Sequence, residues 1–143
     1  MKAILGSDHA GFELKAAVKA HLEKRGLAVT DAGTHSTERC DFPVYALKVA
    51  RAVAAGEFER GILICGTGLG MSMAANRVPG ARAALCTTEY QARMSRAHNN
   101  ANLLCLGQRV IGQGLALAIL DVWLETPFEG GRYQQRLDSM ESR

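Results

Sequence analysis

Cys65 ends the apolar run GILIC and is followed at once by GTGLG, with glycines at 66, 68 and 70. A glycine turn after a strand presents successive backbone N–H groups, and a helix starting there adds more. Such a cradle binds phosphate or stabilises an oxyanion formed during reaction. Its plainer use is a strand-to-helix turn that needs small residues. The cysteine favours the chemical use, because amide N–H groups and a helix start lower a thiol's pKa. A base beside an anion hole is a device for removing a proton alpha to a carbonyl. The loop is not a P-loop, since no Lys-Ser or Lys-Thr follows the last glycine at the required distance. It is not a dinucleotide fingerprint either: Gly70 comes one position early and Met71 holds the third place.

Other residues admit two readings each. Asp8-His9, in GSDHAG, is either a helix N-cap with a surface histidine or part of a site. His98 heads HNNAN, which as a helix end with Asn caps needs no function. Arg132 and Arg136 are four apart and share one face of a helix. They form a solvated charged face or a two-pronged phosphate clamp, which guanidinium geometry suits. His21, on a charged helix face, and His35, in a polar loop, read as solvated. Of the four cysteines, Cys86 and Cys105 lie in or at the end of apolar runs and read as core packing. No cysteine pair has CxxC spacing, and none lies near a histidine at zinc-ligand spacing.

These residues need a frame that brings strand ends together. The chain alternates short apolar runs with helical patterns. Strands are expected at KAILG, LAVTD, GILIC, RAALC and NLLCLG. Between and after them come GFELKAAVKAHLEKRG, PVYALKVARAVAAG, GMSMAANR, TEYQARMSRAHNN and GQGLALAILDVWLE, each with apolar residues at helical spacing or helix-end signals. The polar tail GGRYQQRLDSMESR is helical after Gly131. Strands separated by helices pair in parallel, and continuously apolar strands fit a sheet covered on both faces. The expected fold is a single α/β domain over residues 1–143: a three-layer α/β/α sandwich, doubly wound and Rossmann-like, with a five-stranded parallel sheet. In such folds ligands bind outside the carboxyl ends of the strands, at the switch in strand order. If the first and third strands are neighbours, Asp8 and His9 meet Cys65 and Thr67.

Composition sets the outer limits. The chain has 143 residues, is 48% hydrophobic and carries a formal charge of +3. That bias is too weak to argue for nucleic acid or a membrane surface. No apolar run approaches the ~20 residues of a membrane span, and MKAILGSDHAG lacks the apolar stretch of a signal peptide. A cytoplasmic protein with reduced cysteines is expected.

The strings SDHAGFELK, GTHSTERCDFP, GILICGTGLGMSMAANR, HNNANLLCLGQRV and FEGGRYQQR, in this order over nearly the whole chain, resemble the type B ribose-5-phosphate isomerases of the ribose/galactose isomerase family. The resemblance implies an aldose–ketose isomerase of sugar phosphates, needing neither metal nor cofactor, in the pentose phosphate pathway. It implies a homodimer, or a tetramer of such dimers, with active sites shared between subunits and the tail from about 127 to 143 against the partner. Residue by residue, it gives Cys65 the role of the base acting between C1 and C2. Gly66, Thr67, Gly68, Leu69 and Gly70 would hold the enediolate oxygens. His98 would assist ring opening as acid, with Asp8 on the other side of that step. Asn99 would contact the sugar, and His9, Arg109, Arg132 and Arg136 the phosphate. Some relatives use a carboxylate at the position of Met71; Cys65 with Met71 resembles the cysteine branch.

The chemistry of the residues agrees. Isomerisation needs an opened ring, one mobile proton and a stabilised planar anion; histidine suits ring opening. A phosphate supplies binding energy away from the reacting carbons. Allose 6-phosphate or galactose 6-phosphate is an alternative substrate. Rival classes are a thiol nucleophile, though the CxxxxxR loop of a cysteine phosphatase is absent, and a non-catalytic sugar-phosphate-binding module. In a parallel sheet Cys65 and His98 fall at opposite edges, about 15 Å apart, so a shared site needs two chains.

Overall fold

The computed structural model describes residues 1–141. The sheet contains β1 (Lys2–Ser7), β2 (Ala28–Asp31), β3 (Arg60–Cys65), β4 (Ala83–Leu85) and β5 (Leu103–Gly107). The helices are α1 (Phe12–Lys24), α2 (Phe42–Ala54), α3 (Leu69–Ala75), α4 (Glu89–Ala97), α5 (Gln113–Glu125) and α6 (Arg132–Glu141). The expected tail extends over residues 142 and 143, which lie outside the described residues. All strand pairs are parallel, in the order β2-β1-β3-β5-β4. The expected five-stranded α/β/α architecture is the one observed.

Strand alternation divides the sequence between two cores. Ala3, Leu5, Ile62, Ile64, Leu104 and Leu106 face α1, α4 and α5, around the fully buried Trp123. Ile4, Leu63, Cys65, Leu103 and Cys105 face the other way, against Val49 and Val53 of α2 and Met71 and Ala75 of α3. Both faces of the three central strands are therefore covered, which explains why GILIC and LLCLG read as unbroken apolar runs.

The boundaries differ from expectation at two informative places. GSDHAG forms a separate 3₁₀ turn, His9–Gly11, before α1. The Asp8 carboxylate caps it, accepting from the amides of Ala10 (2.9 Å) and Gly11 (3.1 Å). The helix expected over 88–100 ends at Ala97, with His98 as its C-cap. Asn100 then turns the chain through the left-handed region, with φ 46°, a conformation Asn tolerates better than most residues.

His21 corrects another expectation. It is not a freely solvated side chain: Nε2 lies 2.7 Å from the Asp121 carboxylate, which also accepts from Arg25 at 2.5 Å. These pairs tie α1 to α5. His35 is exposed, as expected. Cys86 and Cys105 are buried in the cores. Burial pushes the Cys86 thiol up to about 11 and raises Cys105 as well.

Candidate active site

The switch in strand order falls between β1 and β3, and their carboxyl ends meet. Ser7 pairs with Ile64, and the Asp8 amide donates to the Ile64 carbonyl at 3.3 Å. Asp8 itself is buried by the turn it caps. The same turn carries His9, whose Nδ1 accepts from the Cys40 amide at 3.2 Å. An Nδ1 held in that way leaves the neutral ring's proton on Nε2. Cys40 comes from the loop before α2, so two chain segments fix one imidazole.

Cys65 closes β3 and is buried, 6% exposed as a residue. The loop after it curls so that the Gly68 amide donates to Sγ at 3.1 Å. Gly68 can do this because its φ is +79°, and a Cβ there would lie 2.5 Å from Leu85 Cδ1. The Leu69 amide donates to Thr67 Oγ1 at 3.2 Å. Two of the loop amides are thus engaged within the loop, a departure from a wholly open cradle. Thr67 Oγ1 accepts that bond and keeps its own proton to donate. Gly70, in the first turn of α3, lies under the Phe42 ring, which would stand 2.6 Å from a Cβ there.

The third wall is the turn after β5. The amides of Gln108 and Arg109 donate to the carbonyls of Cys65 and Gly66, each at 2.9 Å. The Arg109 side chain lies over Gly66, about 3.5 Å from the position of a Cβ there. Gly107 lets the two turns touch: its own Cβ would sit 2.6 Å from the Thr67 carbonyl. Asp8, His9, Cys65 to Gly70 and Arg109 therefore gather at the carboxyl edge of the sheet.

His98, Asn99, Arg132 and Arg136 do not join them. His98 precedes Leu103, which pairs with Gly61 at the amino end of β3. Gly61 and Cys65 are four strand steps apart, about 13 Å. His98 is instead surrounded by the tail. Its ring stacks on Tyr133 with centroids 4.1 Å apart and planes 8° apart, and Nε2 faces Glu129 at 3.7 Å. Arg132 and Arg136 of α6 both lie over that Tyr133 ring, at 5.0 and 5.3 Å. Asn99 is exposed beside them. Tyr133 and Glu129 were missed in the sequence. The only available signal was an aromatic residue enclosed between two arginines in RYQQR. Among the described residues, no group of three or more His, Cys, Asp or Glu is placed to hold a metal ion. No helix among them is long and apolar enough to cross a membrane.

The two edges thus carry two separate clusters of polar and charged side chains. Comparison with known proteins gives the same frame. The family model described as Ribose/Galactose Isomerase matches residues 3–140. Ribose-5-phosphate isomerase B of Escherichia coli is 52% identical over 139 residues, covering 97% of this chain and 93% of that protein. The structure of Clostridium thermocellum ribose-5-phosphate isomerase B superposes with a TM-score of 0.98 at 56% identity, covering 99% of this chain and 95% of that one. A Mycoplasma genitalium ribose-5-phosphate isomerase B, solved with bound ribulose 5-phosphate, matches at a TM-score of 0.95 and 40% identity, over 98% of this chain and 93% of that one. The likeness runs from the first strand into the last helix and takes in both edges: the chain belongs to the ribose/galactose isomerase family.

Proposed function

We propose that this chain interconverts ribose 5-phosphate and ribulose 5-phosphate, with Cys65 as the base. The observation that carries this reading is Cys65 Sγ held at the carboxyl edge of the sheet by the Gly68 amide, over a loop that can receive an anion. As thiolate, Sγ takes the C2 proton of the open-chain aldose. The C2–H electron pair forms the C1–C2 double bond, and the carbonyl electrons move onto O1. Returning the proton to C1, with the O2 proton passing to O1, completes the ketose. The Thr67 hydroxyl and the loop amides left over from internal bonds stabilise the enediolate oxygens. His9 and Arg109, at the same edge, reach toward the phosphate.

Ring opening falls to His98, with Asp8 across the ring and Asn99 on the sugar hydroxyls. Arg132 and Arg136 complete the phosphate grip. Because His98 opens at the opposite edge from Cys65, these residues come from a second copy of the chain, related by a twofold axis that makes two equivalent sites. The chain is read as cytoplasmic: its four cysteines are free thiols, the state a reducing compartment maintains.

The test is turnover in D₂O with a panel of aldose phosphates. Ribose 5-phosphate should give ribulose 5-phosphate carrying solvent deuterium at C1, at a rate above that of six-carbon aldose phosphates. Preference for a six-carbon substrate would shift the reading to a related isomerase. Binding without turnover of any of them would leave a sugar-phosphate-binding module.

A further inference from the structure

The reading above assigns tasks to His98, Arg132 and Arg136, but leaves open what holds three side chains from two segments in one arrangement. His98 caps α4; the arginines belong to α6. All three side chains are a third or more exposed, and long exposed side chains are ordinarily mobile. One ring touches each of them. The Tyr133 ring stacks on the imidazole at 4.1 Å, lies under both guanidiniums, and its hydroxyl takes a 2.9 Å bond from Arg132 Nη2. Leu137, buried one turn later, pins α6 to the body, and the Glu129 amide donates to the Ala97 carbonyl at 3.0 Å. Tyr133 is therefore half-buried on a fixed support rather than carried on a loose tail.

We infer that Tyr133 is a positioning residue for the proton-transfer and phosphate-binding groups of this edge. It touches no reacting atom. Its π-face sets the plane of the His98 ring, so the imidazole presents one edge to the sugar. The same ring gathers two like-charged guanidiniums that would otherwise repel each other, and so prepares a doubly charged patch for a dianionic phosphate. Binding then costs less ordering of the arginines, because they are already confined. This inference rests on the proposed assignment of His98 and the arginines to the site.

The experiment uses full-length Tyr133→Leu and Tyr133→Phe, with His98→Asn as a control. In the free enzyme, the stacked Tyr133 ring shields the His98 ring protons, which resonate upfield of an exposed histidine. Tyr133→Leu should abolish that shift, raise KM for ribose 5-phosphate about tenfold and lower kcat. Tyr133→Phe retains both π-faces and should restore the shift and most of kcat/KM, losing only the bond from Arg132. An unchanged kcat/KM in Tyr133→Leu, while His98→Asn is impaired, would overturn the positioning role. Unshifted His98 resonances in the parent would overturn it independently of activity, even if Tyr133→Leu failed to fold. Full activity of His98→Asn would overturn the site assignment itself, and this inference with it.

Discussion

The amide of Gly68 donates to the sulfur of Cys65 across 3.1 Å, within a single turn of backbone. A fixed donor there holds the sulfur at the carboxyl edge of the sheet, and Cys65 alone among the cysteines accepts one from a glycine loop. Cys86 and Cys105 are surrounded by apolar side chains, and burial raises both thiols. Cys65→Ala should therefore lose kcat by ~10²–10⁴-fold, the usual loss for a general base, with little change in substrate affinity. Cys86→Ala should keep kcat while losing some stability. Steady-state kinetics and thermal melts of both variants check this, and an inactive Cys86→Ala beside an active Cys65→Ala would reverse the assignment.

Sharing of the site between chains is tested by complementation. Cys65→Ala and His98→Asn chains, each nearly inactive, are unfolded together and refolded. A mixed dimer has one site with both lesions and one with neither. Random pairing makes half the dimers mixed, so about a quarter of wild-type activity should return. If both residues serve a site in the same chain, the mixture stays as inactive as its parents.

Gly107→Ala should harm catalysis more than folding. The added methyl would stand 2.6 Å from the Thr67 carbonyl, so the Cys65 loop must shift. Displacements near 1 Å in a site cost up to ~10²-fold in rate, whereas overpacking costs about 1–3 kcal/mol of stability. Comparing the fall in kcat with the fall in urea midpoint separates the two.

Acid stability follows from two carboxylates. Burial pushes Asp31 up, but the Lys15 ammonium 2.5 Å away and the Gly33 amide outweigh it, so its folded value lies below the usual range. Asp121 is likewise raised by burial and lowered further by His21 and Arg25. A depressed carboxylate contributes stability above its unfolded value, near 4, and loses it as pH falls through the folded value. Urea midpoints should drop steeply below about pH 4. Asp31→Asn should flatten that slope, and Lys15→Ala should cost about 3 kcal/mol at neutral pH by leaving Asp31 unpaired.

Removing metal ions should leave activity intact. Activity after dialysis against a strong chelator checks this; loss that returns with added Mg²⁺, Mn²⁺ or Zn²⁺ would count against a thiolate base with an amide oxyanion hole.

Much of the fold was legible because each central strand is apolar on both faces, and each helix has its own end signals. GILIC and LLCLG needed no partner to be read as buried strands. The carboxyl-edge residues were legible for a related reason: Asp8, His9 and Cys65 sit at strand ends, where position in the chain predicts position in space. What escaped lies in contacts between distant segments. His21 meets Asp121 across 100 positions, and nothing on the charged face of α1 announces it. Tyr133 lies under His98 only because α6 folds back on the end of α4. The internal bond from Leu69 to Thr67 escaped as well, because a glycine-rich string does not tell which of its amides turn inward.

Strand order also dictates when the chain can become competent during synthesis. Gly107, which walls the Cys65 loop, leaves the ribosome forty residues after Thr67. β4 has no neighbour except β5, so a nascent chain that stops at residue 102 has β2, β1 and β3 paired and β4 without a place. Its β3 edge is then unpaired and apolar, a template for wrong strands. The Cys65 loop is thus translated early and finished late, and the interval between is the stage at which this chain most needs shelter from its neighbours.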